Sequence, residues 1–157
     1  MKRNIPTSMV TQAWKVLGSS KYGKLSDEEK IKVWKISRVL QPVAKQFDED
    51  SADAADKLKP SEDFQERWAK AQAFETVARN PKLDASKLEM GAAEYQDFMA
   101  GDYQRYNKTV NEALKEAASK DVEIDIEPLT EETFVKLMNS NDWTFDIVQL
   151  LGDILCE

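Results

Sequence analysis

Histidine is absent from the 157 residues, cysteine occurs once, and glycine and proline occur five times each. The lack of histidine removes the side chain most used for proton transfer near neutral pH, and also the commonest metal ligand. With Cys156 as the sole thiol, neither an intrachain disulfide nor a thiolate zinc site can be assembled, and a reducing, cytoplasmic setting is expected. No Ser/His/Asp or Cys/His constellation exists, so the sequence predicts a protein that is not an enzyme and carries no cofactor. Apolar runs are short as well. None approaches the ~20 residues of a membrane span, and the residues after Pro6 alternate apolar and polar instead of forming the apolar stretch of a signal peptide. No membrane partner is expected.

Charge is plentiful and unevenly placed. The chain is −7 overall, with 32% charged residues. From Asp121 to Glu157 there are ten carboxylates and a single base, Lys136, a local net of −9, whereas residues 1–45 carry ten Lys and Arg against Asp27, Glu28 and Glu29, a net of +7. Blocks of opposite sign attract, within one molecule or head to tail between copies. The 41% hydrophobic content lies outside the disordered range, and the length suits one domain, 1–157, able to fold without disulfide or metal staples.

The apolar residues repeat with helical period. Met9, Val10, Ala13, Trp14 and Leu17 share a stripe over 8–17 that Gly18 would close. Ser26 and Glu29 form a capping box, each side chain satisfying the other residue's free backbone amide, and predict a helix start. Ile36, Leu40, Val43 and Phe47 give this second helix its inward face, joined by Ile31, Val33, Trp34 and Val39, with Pro42 expected to kink it without ending it. A third helix follows Pro60-Ser61, buries Phe64, Trp68, Ala71, Val77 and Ala78, and stops at Asn80-Pro81. Around Leu88–Lys120 the positions Ala92, Met99, Tyr103, Tyr106, Val110, Ala113 and Ala117 predict a heptad seam packed antiparallel on another helix.

At Asp121 the period changes to two. Val122, Ile124 and Ile126 alternate with Asp121, Glu123, Asp125 and Glu127, the pattern of a half-buried strand over 121–127. A lone strand leaves its backbone unpaired. Basic Met1–Ile5 is the first candidate partner, residues 20–25 the second, and a strand from another molecule the third. After Pro128, Thr130 with Glu131 and Glu132 starts a short helix, and a final apolar helix ends the chain. The predicted fold class is therefore mainly α, a helical bundle of five or six helices with a long antiparallel helical pair and a minor short β-element.

Two groups of residues are candidate functional surfaces. Trp143, Ile147, Leu150, Leu151 and Ile154 line one side of the last helix, too greasy for an exposed tail, so the helix is expected to dock on the bundle or on another chain, and these residues form a candidate interface. Glu123, Asp125 and Glu127 form an acidic electrostatic surface. Outward residues on one strand lie about 7 Å apart, too far to share a metal ion unaided, so no metal is assigned to them. Tyr95, Tyr103 and Tyr106, which with Arg105 and Lys108 could make a nucleic-acid stacking platform, fall on or near the seam and are read as structural instead. Lys15, Lys21, Lys24, Lys30, Lys32, Lys35 and Arg38 form a basic patch for which solvation, or pairing with the acidic end, outranks phosphate contact.

The order of a heptad helix ending near Lys120, the segment Val122–Leu129 (VEIDIEPL), a short helix and an apolar final helix resembles small uncharacterised proteins encoded in tailed-phage and prophage genomes, which carry an acidic VEIDI-P strand near the C-terminus. The resemblance spans the second half of the chain. It implies a genomic context and brings no activity, cofactor or catalytic residue. The expected role is thus a non-enzymatic protein–protein interaction, or a structural or assembly function, with an unidentified protein partner or a second copy. The alternative is an acidic regulator that imitates nucleic acid and occupies a basic protein; nucleic acid itself is disfavoured as a partner.

Overall fold

The predicted strand finds its partner at the start of the chain. In the computed structural model, which describes residues 1–80 and 82–157, β1 (Lys2–Pro6) pairs antiparallel with β2 (Asp121–Asp125), Lys2 opposite Asp125 and Pro6 opposite Asp121. The ladder continues beyond both ends: Ile126 N–H donates to Met1 O at 3.2 Å and Thr7 N–H to Lys120 O at 2.9 Å. Pleating turns Ile5 and Ile124 inward and leaves Lys2, Glu123 and Asp125 in water. Residues 20–25, the second candidate for this pairing, are tied elsewhere: Lys21 N–H and Lys24 N–H donate to Asn141 Oδ1 and Ser140 Oγ at 2.7 and 3.2 Å.

Seven α-helices are found among the described residues: α1 (Thr7–Ser19), α2 (Asp27–Lys57), α3 (Phe64–Arg79), α4 (Ala92–Phe98), α5 (Gln104–Ser119), α6 (Glu131–Asn139) and α7 (Phe145–Leu155). A π turn, Met99–Tyr103, joins α4 to α5 without a break, giving six rods and the minor two-stranded sheet of a mainly α protein. Among the described residues no helix is long and apolar enough to cross a membrane. The chain resolves into two compact units, Met1–Asp50 with Glu116–Glu157, and Ser51–Lys115, where composition suggested one domain.

In the first unit, the sheet and helices α1, α6 and α7 bury Ile5, Val10, Leu17, Ile124, Leu137, Leu151 and Ile154 around the α2 residues Val33, Ile36 and Leu40. Gly18 falls inside α1, not at its end. The capping box forms as predicted, Ser26 N–H donating to Glu29 Oε1 at 2.9 Å and Glu29 N–H to Ser26 Oγ at 3.2 Å. Glu29 also accepts from Thr133 Oγ1 at 2.8 Å and from Lys136 Nζ at 3.1 Å, fastening the start of α2 to α6. The Ser26 amide, then Thr133 and Lys136, hold its carboxyl down from the ordinary 4.5 to about 2. A depressed carboxyl pKa contributes stability that is complete above the ordinary value and lost as pH falls through the folded one. Glu29→Gln is accordingly expected to lower the urea midpoint near neutral pH, with the gap to wild type closing between pH 4.5 and about 2. A gap independent of pH across that window would refute the assignment.

Arg3 behaves differently from Lys2. Placed on the inner side of β1, its guanidinium donates to Asp153 O at 2.9 Å, Ile154 O at 3.3 Å and Cys156 O, occupying carbonyls that the end of α7 leaves without helical partners. Leu129 N–H takes Leu155 O at 2.7 Å. The pleat thus sends Arg3 to a helix terminus, although it belongs to the basic Met1–Ile5 segment that pairs with the acidic strand.

The second unit is built on aromatic rings. Phe64 is fully buried, with ring centroids of Tyr106, Phe98 and Trp68 at 4.7, 5.4 and 6.0 Å. Helix α3 begins at Phe64, later than Pro60-Ser61 implied, and its predicted stripe is only partly buried: Val77 is half-covered and Ala78 exposed. The helix ends at Arg79; Pro81, part of the predicted stop, lies outside the described residues. The rod expected from Leu88 starts at Ala92, which is exposed instead of buried. Phe98 and Tyr106 are both buried. Their spacing of eight would splay them by about 80° on an unbroken α-helix turning about 100° per residue; the π turn absorbs the surplus residue and brings both inward. A regular heptad seam therefore does not run through Met99–Tyr103.

Candidate functional site

Leu151 and Ile154 of the candidate interface are wholly buried in the core of their own unit, so of the two expected dockings, on the bundle or on another chain, these two residues take the first. Residues 151 and 154, with Leu155, supply the stripe that α7 lays on α1 and the sheet, which satisfies the greasy helix internally. Trp143, Ile147 and Leu150 are half-buried against the same core. Trp143 precedes α7, its ring 6.4 Å from that of Phe134.

The acidic strand is partly neutralised. Lys2 Nζ lies 3.4 Å from Glu123 Oε1, and the amino group of Met1 lies 3.0 Å from Asp125 Oδ1. Glu127 remains exposed. Among the described residues no three Cys, Asp or Glu side chains are placed to hold a metal ion together. The tyrosines of the seam sit in or against the aromatic core of the second unit, Tyr106 buried and Tyr95 and Tyr103 half-buried, with Tyr106 OH donating to Ala55 O. They offer no open stacking platform.

A cleft of about 650 Å³ also belongs to the second unit, between α3 and the π turn. Arg67 Nη2 donates to Asp102 Oδ2 at 2.8 Å, Arg105 reaches the other Asp102 oxygen, and Lys70 lies 3.3 Å from Glu66 and 3.4 Å from Glu89. Hydrogen bonds from Arg67 and Arg105 lower the Asp102 pKa, and Ser61 lowers that of Asp63. General acid–base chemistry uses carboxyls whose environments push their pKa values apart; here both shifts run downward. Arg67, Lys70, Asp102 and Arg105 are thus engaged in ion pairs that act as struts, while Glu94 and Asp97 on the same wall make no ion pair among the described residues.

An open surface lies on α2 of the first unit. Trp34 is 55% exposed and Ile31 51% exposed, although the sequence reading turned both inward. Val33, Ile36, Leu40 and Ala44 already complete the buried stripe. At about 100° per residue, Ile31 lies nearly opposite Val33, and Trp34 falls a quarter turn off it. Three exposed cations flank the tryptophan, Lys30, Lys35 and Arg38, whereas Lys32 falls about 160° round the helix and lines a separate cleft with Lys35, Asp125 and Glu127. The Arg38 guanidinium carbon stands 4.9 Å over the Trp34 ring centre. Lys30 has only a distant pairing, 3.9 Å to Asp27, and Lys35 and Arg38 make no ion pair among the described residues. Beside the ring a dimple of about 240 Å³ is walled by Tyr22, Val33, Trp34, Ser37 and the Lys30 stem. Burial raises the Tyr22 pKa, and its hydroxyl donates to Leu17 O. The basic patch was legible in sequence, but its aromatic centre was not. The available clue was that Trp34 has Lys30 at i−4, Lys35 at i+1 and Arg38 at i+4, a neighbourhood belonging to the wet side of a helix. Set against known protein families, curated proteins and solved structures, the chain matches no family, no curated protein and no solved structure.

Proposed function

We propose that this is a non-enzymatic interaction or assembly protein that docks an acidic, aromatic-bearing protein segment on the Trp34 face of α2. The observation that carries this reading is the half-exposed tryptophan beside an apolar dimple, flanked by Lys30, Lys35 and Arg38, of which Lys35 and Arg38 make no ion pair among the described residues. Exposed aromatic anchors next to pockets are the usual energetic centres of interfaces, and the uncompensated charge selects and steers a negative partner. The resemblance of the second half to phage-encoded proteins supports an assembly or host-interference setting, and the lone Cys156 supports a reducing, cytoplasmic one. The nucleic-acid-mimic reading is the weaker one, because Lys2 and the Met1 amino group already draw on the field of Glu123 and Asp125.

A short acidic peptide bearing one phenylalanine, the same peptide with serine in its place, and duplex DNA serve as probes. The phenylalanine peptide is expected to bind, and Trp34→Ala or the pair Lys35→Glu with Arg38→Glu to weaken it at least tenfold, about the loss of one anchor residue, with the thermal midpoint unchanged. An apolar anchor also leaves binding only shallowly dependent on salt, unlike a phosphate contact. Equal binding of the serine peptide, tighter binding of DNA, or indifference to Trp34→Ala would refute the proposal.

A further inference from the structure

The same unit carries a second exposed feature of opposite character. Phe145, at the start of α7, is 77% exposed, more than any other large hydrophobic side chain among the described residues. It stands between Asp142 and Asp146, both exposed and without an ion pair among the described residues. An aromatic knob flanked by two carboxylates thus coexists with an aromatic-walled dimple flanked by Lys30, Lys35 and Arg38, of which only Lys30 has an ion pair among the described residues. Phe145 is in water and the dimple is open, so the two are not joined within one copy.

We propose that the segment received by the Trp34 face is the Asp142–Asp146 turn of a second copy of this chain, with Phe145 entering the dimple and Asp142 and Asp146 meeting Lys30, Lys35 and Arg38. This rests on the reading of the Trp34 face given above and names its occupant. The charge complementarity is specific to this pair of faces: two basic faces or two acidic faces brought together would repel. Asn141, next to Asp142, is hydrogen-bonded to Lys21, next to Tyr22, so knob and dimple are neighbours on one copy and two copies can exchange them reciprocally about a two-fold axis. A one-way contact instead leaves one knob and one dimple unused and proceeds head to tail, closing into a ring or extending as a chain.

Weight-average mass, followed by sedimentation from micromolar to millimolar protein, tests the proposal. The wild-type mass is expected to rise with concentration, and the rise to weaken only shallowly as salt screens the carboxylates and cations around the apolar anchor. Phe145→Ser and Trp34→Ala, both at exposed positions, are each expected to raise the dissociation constant at least about thirtyfold, with unchanged circular dichroism and thermal midpoint showing that the fold is intact. The decisive arm is the mixture. Phe145→Ser keeps a working dimple and Trp34→Ala a working knob, so an equimolar mixture is expected to reform dimers and to stop there. A wild-type protein that stays monomeric to millimolar concentration, a Phe145→Ser variant that associates like wild type, or a mixture that stays monomeric while wild type associates would each overturn the inference. If the acidic phenylalanine peptide is still captured by a monomeric wild-type chain, self-association falls and the Trp34 docking face stands. If neither the peptide nor a second copy binds, both fall.

Discussion

Phe64→Ala is expected to destabilise the Ser51–Lys115 unit by about 3–5 kcal/mol, the range for emptying a buried phenylalanine site. Phe64 is fully buried and touches the rings of Trp68, Phe98 and Tyr106, so truncation leaves a void that three neighbours line. Apart from this aromatic cluster, the unit buries Ala71, Met90 and Val110. A core serving fewer than about 70–80 residues rarely supplies more than about 3–5 kcal/mol, so the substitution removes most of what holds this unit. Amide hydrogen exchange read by mass spectrometry is expected to show α3 and α4 losing protection while β1, α1 and α7 keep theirs. Protection retained in α3, or lost equally in α1, would contradict the division of the chain into two cores.

Leu151→Ala is expected to cost about 3 kcal/mol, within the range for a buried leucine, and Leu150→Ala distinctly less. Leu151 is wholly buried among the α1, α7 and strand residues of the first unit, whereas Leu150 is half-covered. Urea unfolding of the two variants separates them. Equal costs would place the inward side of α7 wrongly. A Leu151→Ala protein of normal stability that had lost its self-association would return this residue to an intermolecular role.

Local chemistry was the legible part of this fold. Ser26 and Glu29 announce a helix start because a capping box is satisfied by residues three apart, whatever the rest of the chain does. The alternation Val122, Ile124, Ile126 announces a strand for the same reason, and net charge pointed to Met1–Ile5 as its partner. What could not be read depends on which neighbour reaches a surface first. Ile31 and Trp34 have the composition of core residues, yet Val33, Ile36, Leu40 and Ala44 take the side of α2 that α1 and the sheet cover. Leu151 and Ile154 look like an interface in isolation, because nothing in the α7 segment discloses that its own unit covers them. The π turn was invisible for a related reason: heptad spacing from Met99 onward is consistent with a straight rod, and only the need to bury Phe98 together with Tyr106 requires an extra residue. At the Trp34 face, the cations could be counted from sequence, whereas the dimple beside them is formed by Tyr22, which a separate loop supplies.

The pairing of β1 with β2 also sets an order of events during synthesis. A ribosome delivers the whole of Ser51–Lys115 before Asp121–Asp125 exists, so the inserted unit can finish while the opening strand still has a bare edge. Closing a loop of that length carries a large entropic cost, and pairings so distant in sequence form late. An idle edge of unpaired amides invites sticking to other nascent chains. The waiting strand reads Lys2-Arg3-Asn4-Ile5-Pro6, two cations, a polar amide and a proline around one aliphatic residue. Such gatekeeper chemistry discourages premature aggregation until the acidic mate arrives.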